Sequence, residues 1–249
     1  MTCIISLARA GDIINSLACV QEIFKQQGSP VAVMVLPEFA PILEGVSYAY
    51  PVLFDGSLMD VCGAVEQARK QFDHVLVGRV CERGENKCES FNEESWRQLG
   101  FLERWYKLHL EFGRRNYDRE HDLVLAHTQG RPFALYNVSG KSSPVPNGEQ
   151  WIQRNKHRIA PGVQWINLGE IKAHRIYDLL GLMDKSEVLV TGDTSTLHLA
   201  AASKVPCVNL IACKPTLWHG SKPRNNSVAC WRYNEMPMLV PISSIRLRQ

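Results

Sequence analysis

Apolar residues recur along this chain at two spacings. Residues 3–7 (Cys-Ile-Ile-Ser-Leu) and 31–36 (Val-Ala-Val-Met-Val-Leu) are nearly unbroken apolar runs, the pattern of parallel strands covered on both faces. Between them Ile13, Leu17, Val20 and Phe24 share one helical face and Gly28 follows, which predicts a helix that stops at the glycine. Residues 52–54 and 74–77 predict further strands, with an amphipathic segment over 58–72 between them. The first half reads as a βαβ series.

A second series starts at Pro132. It predicts a strand over 133–138, a polar loop over 139–148, a helix to about Arg158, a strand over 164–167, a helix over 174–183, a strand over 188–191, a helix from Asp193 and a strand over 207–211. Residues 81–122 interrupt the pattern: they are charged and aromatic, ten acids against eight bases, and carry no strand signal. Residues 236–249 hold too little pattern to assign. The predicted class is α/β, with two Rossmann-like βαβ domains over residues 1–125 and 126–249, joined near 120–131. Ligands in such sheets bind at the carboxyl ends of strands. The turns at Asp12 and Asp193 both fall there.

The length of 249 residues suffices for one large core or two small ones. No apolar run reaches the ~18 residues of a membrane span, and residues 1–9 read as a first strand rather than a signal peptide. Eight cysteines without a CxxC pair, several inside apolar runs, fit reduced thiols and a cytoplasmic protein. The net charge of +3 conceals an asymmetry. From Ser203 onward Lys204, Lys214, Lys222, Arg224, Arg232, Arg246 and Arg248 face Glu235 alone. That stretch is either a solvated basic tail or a contact for phosphate on a donor or acceptor.

Chemistry concentrates in three segments. Ala10-Gly-Asp-Ile-Ile-Asn-Ser-Leu17 sets Asp12 at a strand-to-helix turn, as a helix cap or as a reacting carboxylate. In Thr191-Gly-Asp-Thr-Ser-Thr-Leu-His-Leu-Ala, the side-chain oxygens of Asp193, Thr194, Ser195 and Thr196 can cap a first helical turn whose amides and dipole attract a diphosphate. His198 stands beside that turn, as a structural or a functional histidine. The loop Ser139, Gly140, Lys141, Ser142 and Ser143 offers a point charge and hydroxyl donors to a phosphate, or is simply solvated. It is no Walker loop, because Leu135 stands where the earlier glycine belongs. The other histidines form no ligand-spaced set, so no metal site is expected. A missing G-x-G-x-x-G after the first strand disfavours nicotinamide and flavin enzymes. A missing Asp-x-Asp disfavours transferases that need a metal on that pair.

Together, Arg9-Ala-Gly-Asp-Ile-Ile-Asn-Ser-Leu17, Gly192-Asp-Thr-Ser-Thr-Leu-His-Leu-Ala-Ala-Ala202 and Val205-Pro-Cys-Val-Asn-Leu210 resemble glycosyltransferase family 9, the heptosyltransferases. The resemblance implies a GT-B fold, with an acceptor-side N-terminal domain, a nucleotide-sugar-binding C-terminal domain and metal-independent inverting transfer without a cofactor. It implies that Asp12 is the catalytic base and that Asp193, Thr194, Ser195, Thr196 and His198 form the donor signature. The 139–143 loop matches a phosphate-binding loop, and Glu170 approximates a carboxylate holding the donor's nucleoside. The chain is shorter than typical members, and Ser195 replaces a commonly smaller residue. Lys214, Lys222 and Arg224, with Trp218 and His219 interleaved, would complete the phosphate cage or touch the acceptor. A lipopolysaccharide-type glycan is the favoured acceptor. Hydroxylated DNA bases, and a non-catalytic nucleotide-sugar binder, are the alternatives.

Overall fold

The computed structural model describes residues 1–78, 98–101, 109–140, 145–211 and 228–232. It divides into one compact unit over Met1–Arg115 and another beginning at Asn116. In the first, strands β1 (Thr2–Ile5), β2 (Val31–Val35), β3 (Ala49–Leu53) and β4 (His74–Val77) form a sheet in the order β3-β2-β1-β4, parallel throughout. Every residue of β2 is buried, as its unbroken apolar run requires. Helix α1 (Ala10–Gln27) ends where Gly28 turns left-handed, φ +71°, a conformation a Cβ would strain. Helix α2 (Val61–Arg69) is capped by Asp60, whose carboxylate accepts from the Gly63 N–H.

Strand β3 begins earlier than the 52–54 run suggests. Among the described residues it is an edge strand, paired only with β2, so it tolerates Pro51 and exposes Tyr50 and Leu53. A 3-10 helix over Pro37–Gly45, containing two prolines, also left no periodic signal.

The second unit opens with α3 (Tyr117–Thr128), whose first half lies in the 81–122 stretch, where helices or a connecting region are expected. Its buried face is Glu120, Val124 and Thr128, helical in spacing but polar at two of three positions, which hides it from a hydrophobic reading. The expected division into 1–125 and 126–249, and the join near 120–131, would cut this helix. The unit begins instead at Asn116, whose side chain caps α3 by accepting from the Arg119 N–H at 2.9 Å. Arg119 binds Asp178 through two 2.9 Å bonds. Asp178 is fully buried and also accepts from the Arg175 N–H. This holds a 3-10 turn (Ile176–Leu179) ahead of α5 (Leu180–Lys185), where the pattern predicted one helix over 174–183.

Strands β5 (Phe133–Asn137), β6 (Gln164–Asn167), β7 (Leu189–Thr191), β8 (Cys207–Ile211) and β9 (Val228–Arg232) form a second parallel sheet in the order β6-β5-β7-β8-β9. Helix α4 (Gly148–Ile159) lies between β5 and β6 in sequence, and α6 (Ser195–Ala200) between β7 and β8. Strand β9 had no counterpart in the sequence reading. Ile152 of α4 is fully buried in a core with Ala134, Tyr136, Val138, Val190 and Val208. Among the described residues Cys3, Cys19, Cys62 and Cys207 are free thiols. Burial pushes the Cys3 thiol up to about 11, and raises that of Cys19 further, with help from the Glu22 charge. Both are unreactive packing residues. Among the described residues no helix is long and apolar enough to cross a membrane.

Candidate functional site

Each sheet has a topological switch point, and polar residues gather at both. In the first unit the chain runs outward from β1 through β2 to β3, then returns to place β4 on the other side of β1. The crevice between the ends of β1 and β4 is the expected ligand position. Gly78 leaves β4 there, its N–H donating to the Ile5 carbonyl at 2.8 Å. A Cβ on Gly78 would lie 3.2 Å from that oxygen. Asp12 follows β1 in the first turn of α1, half-buried. The N-cap position is Arg9, and Asp12 stands three residues further on. The dipole at this helix end favours a negative charge on the carboxylate.

In the second unit the switch lies between β5 and β7. Asn137 ends β5 and Thr191 ends β7, paired in register. The Gly192 N–H donates to the Asn137 carbonyl at 2.9 Å. The Asn137 side chain accepts from the Ser139 N–H (3.3 Å) and hydroxyl (3.4 Å) and donates to the Thr196 hydroxyl (3.4 Å). Thr191, Thr194 and Thr196 close a triangle of hydroxyls with separations of 3.1, 3.0 and 2.6 Å. Of the four residues expected to cap α6, Thr194 is the N-cap and makes no side-chain cap bond; its hydroxyl binds those of Thr191 and Thr196 instead. Helix α6 has only 6 residues, so its dipole is small.

Next to this set, Asn167 ends β6. Its amide donates to Glu149 (3.2 Å) and Glu170 (3.1 Å), and its carbonyl oxygen accepts from the Gly169 N–H at 2.9 Å. A Cβ on Gly169 would sit 2.9 Å from the Ser139 hydroxyl and 3.2 Å from Asn167 Oδ1. A side chain at this position would have to displace the Ser139 hydroxyl. Burial, then the hydrogen bond and charge of Glu149 and the charge of Glu170, push the Tyr136 phenol up to about 12. It stays a neutral donor across the physiological range. His198 is buried, its Nε2 3.6 Å from the Asp193 carboxylate, while its Nδ1 has no hydrogen-bond partner among the described residues.

The structure thus brings Ser139, Thr194 and Thr196 into one bonded network, with Glu170 joined to its edge through Asn167 and Gly169. Ser195 begins α6 and Gly140 follows Ser139. Lys141, Ser142, Ser143, Lys214, Trp218, His219, Lys222 and Arg224 lie outside the described residues. Asn137, Asn167, Glu149, Gly169 and Thr191 were missed. A usable signal existed for three of them: Phe-Ala-Leu-Tyr-Asn137, Gln-Trp-Ile-Asn167 and Leu-Val-Thr191 each end an apolar strand on a polar residue.

The fold is similar to that of solved family 9 glycosyltransferases. Among solved structures it resembles the glycosyl transferase family 9 protein from Veillonella parvula DSM 2008, with TM-score 0.62 and 14% identity over 92% of this chain and 85% of the other. It also resembles ADP-heptose lps heptosyltransferase II of E. coli, with TM-score 0.57 and 14% identity over 91% of this chain and 89% of that one. For E. coli heptosyltransferase WaaC with ADP the values are 0.58 and 14%, over 94% of each chain. No family model and no curated protein sequence matches the chain. The resemblance read from the two motifs is met at the level of fold.

Proposed function

We propose that the chain is a glycosyltransferase of the heptosyltransferase kind, moving a sugar from a nucleotide-diphosphate donor to a glycan hydroxyl with inversion and without a metal. The observation that carries this reading is the occupation of both switch points. One holds the carboxylate of Asp12; the other holds the network of Asn137, Ser139, Thr191, Thr194 and Thr196, the kind of hydroxyl and amide surface that takes phosphate. The reading includes the GT-B arrangement, with the first unit on the acceptor side and the second holding the donor.

In the proposed step the acceptor oxygen forms a bond to the anomeric carbon as the bond from that carbon to the diphosphate oxygen breaks. Asp12 takes the hydroxyl proton. Negative charge grows on the departing diphosphate, where preorganised N–H and O–H donors at the end of β7, with Lys141, stabilise it. Glu170, held by Asn167, supplies acceptor oxygens for the hydroxyls of the donor's nucleoside. The names of the E. coli neighbours, ADP-heptose and lps among them, favour a glycan acceptor. Nothing in the described residues supports DNA.

Donor binding tests the reading. Lys141→Ala and Asp193→Ala should weaken nucleotide-sugar binding, the first by removing a charged donor, a loss of roughly tenfold or more at ~1.5–3 kcal/mol per charged hydrogen bond. Gly169→Ala should do so too, because its Cβ enters the space of the Ser139 hydroxyl. Calorimetry giving wild-type affinity in all three would sink the assignment. A chelator should leave transfer unchanged.

A further inference from the structure

We propose that Asn137 is a positioning residue that fixes the spacing between the two donor-binding segments, one after β5 and one after β7. The inference rests on the donor-site reading above. Asn137 is the last residue of β5 and is buried. Both segments converge on it: its carbonyl holds Gly192 after β7, its side-chain oxygen holds the N–H and hydroxyl of Ser139 after β5, and its amide reaches Thr196 at the start of α6. The side-chain bonds are long for their class, so none is strong alone. Their value is geometric, since a diphosphate needs its donors at one spacing before it arrives.

A count of hydrogens says why the residue must be asparagine. Thr191, Thr194 and Thr196 bring one hydroxyl hydrogen each. Thr191 gives its own to the Gly192 carbonyl at 3.0 Å. Two hydrogens then serve three close oxygen pairs. The Asn137 amide adds a hydrogen directed at Thr196, so Thr194 can turn its hydroxyl toward a phosphate oxygen while Thr196 keeps a donor. Aspartate would lose that N–H and set a negative charge beside the phosphate. Leucine would lose both the donor to Thr196 and the acceptor for Ser139.

The test is calorimetry on the full chain with ADP, GDP and UDP and with the matching nucleosides. Wild type should bind at least one diphosphate more tightly than its nucleoside. Asn137→Ala should cut that advantage roughly tenfold, at about 0.5–1.5 kcal/mol for each bond lost, and Asn137→Asp should cut it further, with nucleoside affinity unchanged in both. In a Ser139→Ala background the cost of Asn137→Ala should shrink, because the two act through one bond. If wild type binds no diphosphate, the donor-site reading falls and this inference with it. If wild type binds and both variants keep the full diphosphate advantage, the inference alone is overturned. Equal losses on nucleoside and diphosphate would also overturn it, since they mark general damage to the fold.

Discussion

Asp12→Asn is expected to lower transfer by ~10²–10⁴-fold, the range for removal of a general base, while nucleotide-sugar affinity stays within a factor of about two. Asparagine keeps the size of the side chain and its acceptor oxygen in the first turn of α1, so the helix start survives. It cannot take a proton from an attacking hydroxyl. The split between rate and affinity is the informative part, because the donor network is built from the second unit, beginning at Asn116, and Asp12 belongs to the first. Steady-state transfer with calorimetry on the same variant measures both. Full activity would reduce Asp12 to a dipole-compensating carboxylate, and a parallel loss of donor affinity would mean that the variant is misfolded.

Ile152→Ala should destabilise the chain by ~2–5 kcal/mol, and Ile152→Val by only ~0.5–1.5 kcal/mol. Ile152 is fully buried on α4, in the same core as Tyr136 and Val138, the residues on either side of Asn137. Truncation leaves a cavity under the strand end that carries the donor network. Denaturant unfolding should show the graded loss, and donor affinity should fall with the larger truncation. A cost below 0.5 kcal/mol for alanine, on the scale cited for these substitutions, would mean that the site collapses around the change and that this core is looser than described.

Most of the β-framework was legible because parallel strands buried on both faces must be apolar throughout. The run over 31–36 read as a strand for that reason, and Val31–Val35 is a strand buried throughout; the strands expected over 133–138, 164–167 and 207–211 are found at 133–137, 164–167 and 207–211. What escaped had a physical cause in each case. Helix α3 buries Glu120 and Thr128, so its stripe is not hydrophobic. Strand β3 lies at an edge and carries Pro51. Asp12, Ser139, Thr194 and Thr196 were legible as candidates because turns after apolar strands stand out as polar. Asn137 and Asn167 stand out more weakly, as single polar residues that close their strands. Only the geometry shows that their side chains tie the loops together.

The most direct measurement of the central claim is phosphorus NMR of a nucleotide sugar incubated with the protein, a lipopolysaccharide-core glycan and a chelator. The proposed function predicts that the diphosphate-sugar signal is replaced by free nucleoside diphosphate, one for each sugar gained by the glycan, and that the Asp12→Asn variant leaves the donor intact. A panel of nucleotide sugars that remain unbound and unconsumed, or consumption that stops when the chelator is added, would contradict it.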